Sequence, residues 1–265
     1  MPYDTNVLDH LHGFLKTEKE PATSLFFGVE LEICVLNNET DRFSPSTIVA
    51  DVNSALEGHA VICHDGSVAS GFEIVTVPAT LAYHKEKMWQ RFFNSTLTER
   101  LVGMPYCGNH VHVSKAAWTP LTVGKLLNFV HNPDNTPFID SISLRGQGQY
   151  CTRTAEYSYS PTAVLRNNHY RSAALNITPS ETIEFRMFQS SINPTNLFKN
   201  LEFIDAIRMF TFHHKISDMN ALKFLEFVAE NYYMWPYLSH FLIKHEWFVS
   251  PVRNERPAIT ERSAV

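Results

Sequence analysis

The chain has 265 residues, 44% of them apolar and 18% charged, enough for a substantial buried core and too apolar for disorder as the main state. Its 22 basic and 27 acidic residues give a formal charge of −5 with no basic stripe, so no nucleic-acid partner is expected. No membrane span, no export signal (Asp4 and Asp9 stand where a basic start is needed) and no CxxC pair are visible, which predicts a cytoplasmic protein with reduced thiols and no membrane contact.

Val7, Leu8, Leu11, Phe14 and Leu15 recur at helical spacing and predict a short amphipathic helix ended by Pro21. SLFFGVELEICVL, residues 24–36, has the length and alternation of a strand. A helix opens at Ser44-Pro45 and closes at Gly58. AVICHD and GFEIVT, separated by the turn Gly66-Ser67, read as a pair of strands. Thr80 to Leu101 reads as one long helix, CGNHVHVS as a strand, and Pro120 to His131 as a helix. The stretch 145–168, rich in Gln, Tyr, Ser and Thr, has no period and reads as a long loop of the kind that often forms a functional lid. RSAALNI and ETIEFRMF form a second strand pair turned at Pro179-Ser180, and helices follow at 195–214, 218–233 and 236–246. Residues 250–265 read as a loose tail. Strand pairs joined by short turns predict an α+β fold, in one catalytic domain over 1–265 with its motifs within 24–190.

Strand side chains alternate between two faces, so residues two apart point the same way. In GVELEI, Glu30 and Glu32 share a face; in GFEIVT, Glu73 opposes Phe72 and Ile74; in NHVHV, His110 and His112 oppose Val111 and Val113; in TIEFRMF, Glu184 and Arg186 oppose Ile183, Phe185 and Met187. Taken singly, Glu-x-Glu is usually a solvated face, His-x-His a metal pair or a satisfied core pair, and Glu-x-Arg a cross-strand ion pair. The recurrence of one pattern on four strands is the stronger signal. If the strands share a sheet, four carboxylates and one guanidinium crowd one surface, with a net charge of −3 for neutral histidines. Such crowding destabilises a sheet unless cations neutralise it. Two divalent ions would bring the surface to about +1, able to accept a polyphosphate, and carboxylates with an imidazole suit Mg2+ or Mn2+.

FGVELEI, DGS followed by GFEIVT, CGNHVHVS and TIEFRMF, in that order over residues 24–190, resemble the motifs of the amidoligase family, ATP-dependent carboxylate–amine ligases with the fold of glutamine synthetase and glutamate–cysteine ligase. The resemblance implies a curved, mainly antiparallel sheet forming a funnel, with helices on its outer face. It implies that Glu30, His110 and Glu184 hold one ion and Glu32 and Glu73 the other, that His112 contacts ATP phosphate, and that Arg186 neutralises the transferred phosphoryl group. Glu184, His112 and Arg186 are thus the expected catalytic groups. Arg145, Arg153, Arg166 and Arg171 lie in or beside the polar loop; one or two of them are expected to bind phosphates or the substrate carboxylate and the others to be surface arginines, with Arg166 and Arg171 as the nucleotide-binding candidates. The implied partners are a carboxylate and an amine, carried by a peptide, a protein side chain, a cell-envelope precursor or a small metabolite. The family includes stand-alone bacterial and bacteriophage members, which would place the protein in a bacterial or host cytoplasm. Two rivals remain at this level: a metal-dependent hydrolase or cupin-like enzyme centred on His110-x-His112, and a binding protein that kept the sheet and lost the chemistry.

Overall fold

The computed structural model describes residues 14–17, 25–36, 45–66, 68, 70–148, 151–159 and 172–248. The fold is α+β, built on an antiparallel sheet of eight strands. In chain order these are β1 (Phe26–Val35), β2 (Ala60–Cys63), β3 (Gly71–Thr76), β4 (Ala79–Thr80), β5 (Leu101–Val102), β6 (Gly108–Ser114), β7 (Leu175–Asn176) and β8 (Thr182–Gln189). The path runs β2-β3-β1-β6-β8-β7, with the long β1 at its centre. β4 continues the β3 edge of β1 and β5 the β6 edge, so β1 is paired along both sides for most of its length.

The odd positions of β1, Phe27, Val29, Leu31 and Ile33, are buried with Phe72, Ile74, Val111, Val113, Ile183 and Phe185 in one apolar cluster. Helices cover that face. They are α1 (Pro45–Leu56), α2 (Leu81–Tyr83), α3 (Gln90–Phe93), α4 (Pro120–His131), α5 (Thr136–Ser143), α6 (Glu156–Tyr159), α7 (Pro194–His213), α8 (Ala221–Glu230) and α9 (Pro236–Lys244). α7 is buried on nearly every side, which marks it as the central helix of this layer. Its Phe203 and Phe210 meet Phe129, Phe138 and Phe224 edge-on or tilted, at ring distances of 5.5 to 6.4 Å. Such aromatic pairs add about 0.5–1.5 kcal/mol each beyond their burial.

The predicted strand pairs and the helices α1, α4, α7, α8 and α9 stand close to the expected boundaries. Gly58 closes α1 with φ +76°, a left-handed turn that glycine adopts without steric cost. Three expectations are corrected. Leu15, expected in a helix, forms a parallel bridge with Ala79; the remainder of that segment lies outside the described residues. The helix expected over 80–101 is broken into α2, a π-type turn at His84–Met88, α3 and a 3-10 turn at Thr96–Arg100. The break lets His84 and Trp89 turn inward together: Trp89 Nε1 donates to His84 Nδ1 at 3.0 Å, and His84 Nε2 donates to Phe27 O at 2.9 Å. Finally, α5 occupies a stretch for which no helix is expected, while the tail 250–265 lies outside the described residues. Among the described residues no helix is long and apolar enough to cross a membrane.

Candidate active site

The strand registers bring the ionisable face together. Glu30 lies opposite His110 and Glu32 opposite Glu73, while His112 faces Glu184 on its other side. Residues paired across a sheet share a face, so these six side chains form a contiguous patch. A β-bulge refines the alternation in β8. Asn109 pairs with Phe188 and Val111 with Phe185, so Arg186 and Met187 together oppose His110. The extra residue keeps Glu184 and Arg186 with the site and returns Phe188 to the apolar side with Phe185.

The imidazoles stand among the carboxylates. His110 Nδ1 is 3.4 Å from Glu30 Oε2 and 3.9 Å from Glu184 Oε1, and its Nε2 is 3.9 Å from Glu32 Oε1. His112 Nε2 is 3.0 Å from Glu30 Oε1 and 3.9 Å from Glu184 Oε1. Arg186 Nη1 pairs with Glu184 Oε1. Two donor sets emerge, Glu30–His110–Glu184 and Glu32–Glu73–His110, each with one ligand atom per residue within 4.8 Å of the others. His110 belongs to both.

Neighbouring groups orient this patch. Asn176 Nδ2 donates to Glu184 Oε2 at 2.8 Å, and Asn176 Oδ1 accepts from the Thr178 N–H and Oγ1. The Gly108 N–H donates to Glu32 Oε2 at 2.5 Å, and Ser190 Oγ donates to the Glu32 carbonyl. Gly108 leaves room for these side chains: a Cβ there would lie 2.5 Å from His110 Nε2 and 3.0 Å from Arg145 Nη1, so one or both would have to move. His112 Nδ1 is 3.2 Å from Thr182 Oγ1.

The electrostatics of the patch are uneven. Burial resists the ionisation of Glu30, but hydrogen bonds and charge from His110 and His112 hold its carboxyl far below the usual range. Burial also resists charge on His112, yet Glu30 and Glu184 raise it above the ordinary imidazole value. Glu73 goes the other way: burial, then Glu30, Asp65 and Glu32, push its carboxyl up to about 8. Two carboxyls of one patch thus sit in opposite environments, Glu30 held anionic by imidazoles and Glu73 pressed toward its neutral form by neighbouring carboxylates.

Of the arginine candidates, Arg145 reaches the edge of the patch beside Gly108. Arg153 instead pairs with Asp140 and is nearly enclosed, a packing role. Arg166 and Arg171 lie outside the described residues. The four cysteines are free; Cys107 is pushed up to about 12 by burial and by Cys34, unfit for nucleophilic work at neutral pH. Asn176, Thr182, Gly108 and Ser190 also serve the patch; Gly108 and Thr182 lie within the motifs and Asn176 and Ser190 near them, but their partners are fixed by strand pairing that no local pattern encodes.

No family model and no curated protein matches the sequence, so the resemblance to the amidoligases stands on the motif residues alone. Among solved structures, the chain is similar to one in the crystal structure of the complex between prokaryotic ubiquitin-like protein Pup and its ligase PafA. The TM-score is 0.37 at 11% identity, and the match covers 83% of this chain and 59% of that one.

Proposed function

We propose that this chain is an ATP- and divalent-metal-dependent carboxylate–amine ligase that forms an amide or isopeptide bond through an acyl phosphate. The observation that carries the reading is the pair of oxygen-rich donor sets side by side on one sheet face. Carboxylates with one imidazole fit Mg2+ or Mn2+, which when bound screen the triphosphate and the transferring phosphoryl group. Glu30, Glu184 and His110 would hold one ion, and Glu32 and Glu73 the other. A neutral imidazole has a single lone-pair nitrogen, so His110 ligates one ion and offers its other N–H to the opposite set.

The remaining steps belong to the chain's own side chains. His112, whose protonated form Glu30 and Glu184 favour against the effect of burial, donates to a phosphate oxygen. Arg186 stands beside Glu184 to neutralise the phosphoryl group, and Arg166 and Arg171, outside the described residues, are the candidates for the nucleotide. An oxygen of the acid substrate attacks the γ-phosphorus and ADP leaves; the amine then attacks the acyl carbon, phosphate leaves, and the amine proton passes to solvent or a carboxylate. No protein nucleophile takes part. A cupin-like or hydrolytic centre on His110 and His112 would gather both imidazoles onto one ion, and neither donor set contains both.

The test is ADP release from Mg-ATP in the presence of mixed peptides, amino acids and amines, with products followed by mass. The expected result is ADP formed only when acid and amine are both present, with a product lighter by one water than their sum. Glu184→Gln should stay folded and lose about a hundredfold or more of that turnover. Tightly retained zinc or iron with no nucleotide binding would overturn the reading in favour of the hydrolase.

A further inference from the structure

The ionisable side of β1 does not end at Glu32. Cys34 stands two residues further along the same side and is paired across both edges, with Gly71 of β3 and Val102 of β5. Cys107 stands one residue before β6 begins. The two buried sulfurs lie 3.7 Å apart, in a small apolar cluster with Val68. Half-exposed Tyr106 sets its hydroxyl 3.4 Å from Cys34 Sγ, so the pair lies just beneath the surface. The surroundings of these thiols hold Glu32 as well. The Cys107 carbonyl accepts from the Ser190 N–H at 3.0 Å, and the Ser190 hydroxyl donates to the Glu32 carbonyl. The next N–H along, that of Gly108, donates to Glu32 Oε2. By contrast, Cys151 gives its thiol to the Gly146 carbonyl at 3.3 Å, and Cys63 lies across from Glu73 on the edge strand β2.

Two thiols in contact are one oxidation away from a disulfide, and in reducing compartments such bonds are mostly transient and sense oxidant. We propose that Cys34 and Cys107 form a redox-modification site: a peroxide joins them in a reversible disulfide, which draws the Gly108 N–H off Glu32 and so weakens the Glu32–Glu73–His110 set. Cys34, the sulfur beside Tyr106, attacks one oxygen of hydrogen peroxide; the O–O bond breaks, a sulfenic S–O bond forms, and the thiol proton leaves with hydroxide as water. The Cys107 sulfur then attacks the Cys34 sulfur; the S–O bond breaks, the S–S bond forms, and the second thiol proton leaves with the hydroxyl as water. Two electrons have passed from the thiols to the peroxide. Cys107 is a poor first nucleophile, but in this second step contact with the acceptor sulfur replaces encounter. An S–S bond of about 2.05 Å requires the sulfurs to close by about 1.7 Å. β1 is held on both sides at Cys34, so the turn from Met104 to Cys107 and residue 108 absorb that movement. Only the consequence for bound ions rests on the ligase reading.

The test treats the metal-free full chain with hydrogen peroxide, removes the oxidant, and maps the peptides without reduction. The expected product is lighter than the parent by two hydrogens and links Cys34 to Cys107, while Cys63 and Cys151 stay open to alkylation; dithiothreitol reverses it. In the amide spectrum the Gly108 proton, deshielded by its carboxyl acceptor, should move upfield on oxidation and return on reduction. Mn2+ affinity should fall about tenfold, the usual loss when a ligand's hydrogen-bond partner is removed. Cys34→Ser and Cys107→Ser should keep the reduced parent's Mn2+ affinity after peroxide, and Cys151→Ser should switch as the parent does. A parent whose Cys34 and Cys107 stay unlinked, or whose Cys34 goes on to sulfinic acid, overturns the site. A link that leaves the Gly108 amide, or the affinity of a Mn2+-binding parent, unchanged overturns the switch. A link that moves that amide in a chain indifferent to Mn2+ supports the switch and defeats the ligase reading alone.

Discussion

At the scale of single residues, Glu30 and Glu73 are opposite cases of one chemistry. Glu30 is stabilised as an anion by two imidazoles, whereas Glu73 faces Glu32 directly across the strand pair and is pushed up to about 8. A carboxyl whose folded value lies above its unfolded value binds more protons in the native state. Its contribution is therefore complete below about 4.5 and is lost as pH rises through about 8. In chelator, Glu73→Gln should remove part of that loss, so the variant's melting temperature should overtake the parent's between pH 6 and 9; Glu30→Gln should show no such crossover. The same Glu73→Gln should weaken divalent-ion binding, because an amide oxygen cannot replace a charged ligand. Thermal scans across pH with and without Mn2+ separate the two effects, and a parent whose metal-free stability rises over that range would refute the charge assignment. The facing pattern of these residues was legible because strand alternation is a local rule. The particular company each keeps was not: Asn176 on Glu184 and Gly108 on Glu32 depend on cross-strand register.

At the scale of elements, the strands were easier to foresee than the helix that follows β4. Apolar residues on one side and ionisable ones on the other define β1, β3, β6 and β8 without tertiary information. The stretch 81–100 is rich in helix formers, yet the burial of His84 with Trp89 overrides propensity and opens a π-type turn. His84 is fully buried and its value is lowered to about 4 by burial, against the opposing pull of the Phe27 carbonyl. A lowered histidine binds fewer protons in the native state than in the unfolded one, so its contribution is present above about 6.5 and is lost as pH falls through about 4. The pH 7 to 5 limb of that window should cost about 2 kcal/mol. His84→Gln keeps a donor and an acceptor but cannot titrate. Urea unfolding of parent and variant should show the parent losing more stability between pH 7 and 5, by roughly that amount; parallel pH curves would exclude a buried neutral imidazole. The β8 bulge was equally hidden, since an uninterrupted alternation places Phe188 on the wrong face.

For the molecule as a whole, the sheet divides the labour: its apolar side joins the strands to the helices, and its other side concentrates charge that the fold alone leaves uncompensated. If divalent ions occupy the two donor sets, they should stabilise the molecule, because binding the native state alone shifts the folding equilibrium. At a hundredfold excess over the dissociation constant, one ion contributes about 2.7 kcal/mol. For a chain of this size that corresponds to a rise in melting temperature of about 5–10 °C. Mn2+ should produce that rise at neutral pH, EDTA should reverse it, and Ca2+, which prefers more numerous and more distant oxygens, should do less. His110→Ala should be diagnostic, because His110 touches both donor sets while lying at the patch's centre. If the sets act as one binuclear centre, that variant loses most of the Mn2+-dependent rise; Asp218→Asn, outside both sets, keeps it. A parent chain indifferent to Mn2+, or His110→Ala responding as fully as the parent, would mean that the acidic face carries no metal and that its carboxylates serve only solvation.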